Sequence, residues 1–139
     1  MLNKNDGTEA EAAFVRHWDA VGHIERFRDK KDLMGLNKGK RLADFKKPSD
    51  YLVSAPGVPL HFAEVKSTTD GKSFAFSKIQ DGQSAAALKE VKRGAGSYIF
   101  YIFSFALGKW FLMGGPQYEA LVDAGRRSVK FEELSEWVK

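Results

Sequence analysis

Asp50, Glu64 and Lys66 stand at a spacing that suits metal-assisted chemistry on an anion. Two apolar runs, 51–53 and 60–66, flank the turn signal Ala55-Pro56-Gly57 and read as antiparallel strands. A hairpin centred on Gly57 pairs residues whose numbers sum to 114, which sets Asp50 opposite Glu64. Directly opposed residues have Cβ atoms about 4.5–5.5 Å apart, and like charges there repel. A cation between the carboxylates relieves the repulsion, and oxygen ligands of this kind suit magnesium, with manganese able to substitute. Lys66 lies two residues beyond Glu64 and so shares its face of the strand. An ammonium beside a carboxylate-bound metal can orient or deprotonate an attacking water and hold a phosphate. Val65 points the opposite way, into the core, and its backbone carbonyl is a candidate further metal ligand. Alone, a Glu-x-Lys triplet on a strand is commonly a solvated ion pair. Here it follows Pro48-Ser49-Asp50 at hairpin distance, with apolar strands around it and a basic segment before it.

The elements that must position these side chains follow from pattern. Thr8-Glu9-Ala10-Glu11 has the form of a capping box. It opens a helix to Val21 with an apolar stripe of Ala10, Phe14, Trp18 and Val21, stopped by Gly22. Short strands are expected over 24–27 and 74–76, and a helix over 80–93 closed by Gly94 and Gly96. Strands 98–107 and 110–113 are expected to join through a two-residue connection at Gly108-Lys109. Short helices are expected over 116–124 and 131–138. The order predicts one α/β domain over 1–139, a mixed central sheet flanked by helices.

The 139 residues suit one core, and 43% apolar with 29% charged residues is the composition of a folded chain. The absence of cysteine excludes disulfides, thiolate zinc sites and a cysteine nucleophile, and suits a reducing compartment. No secretory signal is visible, and the longest apolar stretch, 98–107, falls short of the roughly 20 residues a membrane helix needs. A cytoplasmic protein without a membrane partner is therefore expected, in host cytoplasm if phage-encoded. The net charge of +4 is concentrated. Between Gly22 and Pro48, nine basic residues (Arg26, Arg28, Lys30, Lys31, Lys38, Lys40, Arg41, Lys46 and Lys47) face four acidic ones, an excess of five. A solvated loop is the plain reading. Lying just before the acidic cluster, the segment also suits phosphate binding, with Lys30, Lys31, Lys38, Lys40, Arg41, Lys46 and Lys47 as candidate DNA contacts.

Pro48-Ser49-Asp50 followed by Glu64-Val65-Lys66 resembles the core motif of the PD-(D/E)XK nuclease superfamily. The resemblance implies a restriction-endonuclease-like fold, a magnesium ion on the acidic pair and a lysine assisting the water. The stretch 74–83 is similar to the segment after the Glu-x-Lys strand in RecU-like Holliday junction resolvases, with Gln83 matching their helix-opening glutamine. Glu11 matches a first-helix glutamate that contributes to the metal site in RecU-like and archaeal-type resolvases. The likeness spans roughly 8–113 and is densest over 48–83. It departs from RecU-like proteins in lacking a histidine over 80–82 and a matching stalk, unless part of 33–45 serves. The compact length is nearer the archaeal-type or phage-encoded resolvases.

Other readings stand beside these. Glu11 also suits the capping box, and Glu9 is its alternative as a ligand. Gln83 also suits a first-turn surface position, with Gln80 as its alternative. Lys89, Lys92 and Arg93 read as an exposed helix face. His17, His23 and His61 lack metal-ligand spacing and read as structural or surface residues. The resemblance implies a homodimeric endonuclease that resolves four-way junctions, leaving 5′-phosphate and 3′-hydroxyl ends. The alternatives are a nuclease of the same superfamily acting on duplex, flap or end substrates, and a non-catalytic DNA-binding module.

Overall fold

A computed structural model describes residues 6–27, 49–79, 81–93 and 97–138. In chain order the elements are α1 (Asp6–Val21), β1 (His23–Arg26), β2 (Tyr51–Ala55), β3 (Val58–Thr68), β4 (Ser73–Ala75), α2 (Asp81–Arg93), β5 (Ser97–Ser104), β6 (Lys109–Gly114), α3 (Gly115–Asp123), β7 (Ser128–Lys130) and β8 (Ser135–Trp137). Two single 3₁₀ turns lie at Phe76–Lys78 and Phe131–Glu133. Six strands form one mixed sheet in the order β1-β2-β3-β5-β6-β8, and β4 pairs with β7 as a separate ribbon. No helix among the described residues is long and apolar enough to cross a membrane.

The hairpin register is the expected one. Tyr51 pairs with Ala63, Leu52 with Phe62 and Val53 with His61, and a bulge near the turn then shifts Ala55 onto Val58. Gly57 turns the chain at φ 75°, a region that costs glycine least. β3 runs parallel to β5 from His61↔Ser97 to Thr68↔Ser104, so β4 and α2 form the crossover between them.

Side-chain alternation divides the core by sheet face. On one face α1 lays Ala10, Phe14 and Trp18 on Tyr51, Val53, Ala63, Val65 and Tyr101. On the other, Phe100, Ile102, Phe111 and Met113 meet Ala87 of α2, Tyr118 of α3 and Phe74 and Val129 of the ribbon. His61 is buried in the α1 face. Its Nδ1 lies 2.9 Å from the Pro59 carbonyl and its Nε2 2.7 Å from the Tyr101 hydroxyl. The carbonyl needs a donor, so Nδ1 carries the proton and Nε2 accepts from Tyr101. Burial pushes the His61 pKa down. Its role is structural, as expected.

Several expectations are corrected. α1 begins at Asp6, so Thr8 lies inside its first turn, and Val21 is exposed, outside the buried stripe. Gly22 is required by proximity: a Cβ there would sit 2.5 Å from the Ser54 carbonyl oxygen. β5 stops at Ser104, and four residues, 105–108, connect it to β6. The Ser104 hydroxyl ends the strand early by donating to the Asp70 carbonyl (2.8 Å) and accepting from the Leu107 amide (3.2 Å). The helix expected over 131–138 is instead the 3₁₀ turn and β8. Pairing Trp110↔Trp137 through Leu112↔Ser135 covers the edge that β6 would otherwise expose. Trp137 also stacks on Trp18 with ring centres 5.8 Å apart.

Candidate active site

β2 pairs with β3 only as far as Tyr51↔Ala63, so the next β3 residues pass the end of their neighbour. Asp50 occupies that gap. Its carbonyl accepts from the Phe27 amide at 2.9 Å, and the buried Ser49 hydroxyl donates to the Tyr51 carbonyl at 2.8 Å, fixing the entry to β2. Each carboxylate then accepts from a backbone amide of the other segment. The Asp50 amide donates to Glu64 Oε1 (3.0 Å), and the Val65 amide donates to Asp50 Oδ2 (3.2 Å).

Glu64 is fully buried, on the face that packs against α2. Gln83, in the first turn of α2, donates its side-chain amide to Glu64 Oε2. Lys66 Nζ lies 3.6 Å from the same oxygen. Burial raises the Glu64 pKa most, and the neighbouring Asp50 charge raises it further. Lys66 opposes both, and the result is a pKa of about 8. A carboxyl so placed holds a proton near neutrality or requires a cation in its place.

In an extended strand the N–H and C=O of one residue point to the same edge. The Val65 amide reaches Asp50, so its carbonyl faces the same gap beyond the end of β2. Two neighbouring carboxylates and, by strand geometry, a carbonyl on the same edge offer oxygen donors of the kind that would suit a small hard divalent cation keeping several waters.

Asp50, Glu64, Val65, Lys66 and Gln83 are therefore brought together. Glu11 is placed elsewhere: it accepts from the Tyr51 hydroxyl at 3.2 Å, on the α1 face. Among the described residues, no three or more His, Cys, Asp or Glu side chains form a metal-holding group. Lys30, Lys31, Lys38, Lys40, Arg41, Lys46 and Lys47 lie outside the described residues.

Two neighbours escaped the sequence reading. Tyr51 follows Asp50 and points to the opposite face, toward α1. Burial raises its pKa most, followed by the Glu11 charge and hydrogen bond and then the Asp50 charge. Tyr98 is buried, and after burial itself the charges of Glu64 and Asp50 push its phenol up. Alternation could have placed Tyr51. Tyr98 needed the parallel β3–β5 register, which local pattern does not carry.

No family model matches the chain, and no curated protein matches it. Among solved structures, it is similar to Hjc, a Holliday junction resolvase from the archaeal hyperthermophile Archaeoglobus fulgidus. The TM-score is 0.60 at 12% identity, over 94% of this chain and 95% of that one. What the two share is the architecture, a restriction-endonuclease-like mixed sheet flanked by helices.

Proposed function

We propose that this chain is a magnesium-dependent DNA endonuclease that resolves four-way junctions as a homodimer. The observation that carries the reading is the Asp50–Glu64 pair, held by reciprocal backbone hydrogen bonds with Lys66 3.6 Å from Glu64. The fold shared with a Holliday junction resolvase supports it.

Asp50, Glu64 and the Val65 carbonyl would hold the metal. Bound there, the metal would lower the pKa of a water and stabilise charge on the phosphate. Lys66 orients the attacking water and balances charge on the non-bridging oxygens. Gln83 holds Glu64 so that its carboxylate stays aimed at the end of β2. The basic residues over 30–47 supply phosphate contacts. Symmetrical cutting of a junction needs two active sites, hence a two-fold dimer.

The test is a labelled four-way junction beside a linear duplex of the same sequence, each with magnesium and with EDTA. Paired symmetrical nicks on the junction alone, only with magnesium, are expected. Equal cutting of both substrates would keep the nuclease site and discard the junction. Binding without cutting would make the chain a DNA-binding module.

A further inference from the structure

Beside the candidate site, on the same sheet face, lies a groove of about 660 Å³ that the proposed chemistry does not use. Phe111 and Phe131 form its floor, with rings stacked 4.5 Å apart. Lys72, Ser73, Ser128 and Lys130, from both strands of the β4–β7 ribbon and its approach, form a rim. Ser73 and Lys130 are direct partners across the ribbon, and Lys72 precedes Ser73, so both lysines border the groove.

The strand registers fix where this groove lies. Lys66 pairs with Ile102, and Ile102 pairs with Phe111. The three residues form one row across β3, β5 and β6. Neighbouring strands are about 4.8 Å apart, so the groove floor lies roughly 10 Å from the Lys66 backbone. Phe111 and Ile102 belong to the core on the α2 side, the face that also carries Glu64 and Lys66. A DNA strand carries one charge per about 3.4 Å of helix axis, so the groove falls about three base-pair steps from a phosphate at Lys66.

The rim lysines are exposed, with the Asp70 carboxylate near Lys72 and the Glu133 carboxylate near Lys130. The ion pairs near this surface join Lys109 to Glu136 and Arg126 to Glu133. Asp70 is spent on the turn, where its carboxylate accepts from the Lys72 and Ser73 amides at 2.6 and 3.1 Å. Glu132 is the acidic residue on the rim. The ribbon thus presents cations and hydroxyl donors above an apolar floor, a combination suited to a sugar–phosphate backbone.

We infer that the Lys72–Lys130 rim seats the phosphate backbone of one DNA arm, about three steps from the bond that is cut. This rests on the nuclease reading and adds a contact surface separate from the basic segment over 30–47. The test is Lys72→Gln combined with Lys130→Gln, two exposed positions, measured by binding to a four-way junction across a salt series. Two lost contacts lower the slope of log K against log salt by about 1.8, roughly a 60-fold effect at 0.1 M relative to 1 M salt. Cleavage at saturating DNA and thermal stabilisation by magnesium stay at wild-type levels. Methylphosphonates about two to four steps from the cut weaken wild-type binding and leave the double variant unaffected. An unchanged slope, with wild-type binding and cutting intact, overturns the groove and leaves the nuclease standing. Wild-type protein that neither binds nor cuts DNA overturns both.

Discussion

Replacing Glu64 with glutamine should stabilise the metal-free protein at high pH, the opposite of what loss of a buried hydrogen-bonded residue ordinarily does. The folded state raises the Glu64 pKa from 4.5 to about 8, chiefly through burial and then through Asp50. A carboxyl raised in this way favours the folded state fully below the unfolded pKa of 4.5, and that advantage is lost as pH rises through about 8. Every tenfold change in proton affinity corresponds to about 1.4 kcal/mol, so the full window is on the order of a few kcal/mol. Glutamine stays neutral throughout. Its carbonyl can accept from the Asp50 amide as Glu64 Oε1 does, and a flipped Gln83 amide accommodates the new NH₂ group.

Thermal unfolding in EDTA near pH 5 and near pH 9 measures this directly. Near pH 5 the two proteins should melt together. Near pH 9 Glu64→Gln should melt higher, by roughly 5–10 °C if about 2 kcal/mol is recovered in a domain of this size. Added magnesium should raise the wild-type midpoint near pH 9 and close the gap, with little effect on the variant, because metal and proton compete for the same oxygens. A variant less stable than wild type near pH 9 without metal would show that Glu64 is not a carboxylate in need of a cation.

Asp50→Asn should abolish cleavage while leaving DNA affinity largely intact, measured by nicking and by equilibrium binding. Its carbonyl can still accept from Val65, so its midpoint should exceed that of Asp50→Ala, which leaves that amide without its acceptor at a cost of about 1–3 kcal/mol. Lys66→Met should slow single-turnover cleavage by roughly 10²–10⁴-fold, the range of a lost general acid–base group, with binding retained. Gly22→Ala forces a Cβ to 2.5 Å from the Ser54 oxygen and should lower stability by about 1–3 kcal/mol in denaturant melts. Neutralising Lys38, Lys40 and Arg41 together should reduce the salt slope of DNA binding by about 2.7, and an unchanged slope would make that segment a solvated surface.

The hairpin that aligns Asp50 with Glu64 was legible because its determinants are local. A single Pro-Gly turn between two apolar runs fixes the pairing sum, and the bulge near the turn leaves the Tyr51↔Ala63 register untouched. Lys66 followed from alternation alone. Gln83 followed from resemblance, and the structure sets it on Glu64. What failed was decided at a distance. Residues 131–138 carry apolar spacing compatible with a helix, but the open edge of β6 and the stack of Trp137 on Trp18 select a strand. The capping box around Thr8 satisfied a local rule, yet the helix extends back to Asp6 and Glu11 meets the Tyr51 hydroxyl. The early end of β5 depended on Ser104 reaching Asp70, 34 residues away in sequence.

The site lies where one ladder of the sheet runs out. β3 is central and gains backbone partners from β5 along its full second half, but β2 ends opposite Ala63. Beyond that point the Val65 amide would face a gap, and a buried amide without an acceptor is costly. Asp50 closes the gap with a side chain where a longer β2 would have used a carbonyl. That substitution brings a negative charge beside Glu64, and the Asp50 amide answers by donating to Glu64. The same hydrogen bonds that complete the sheet therefore hold two carboxylates closer than their charges favour. The acidic pair and the integrity of the sheet arise here from one arrangement, which explains how a short, degenerate motif can specify such a geometry: most of it comes from where the strand stops.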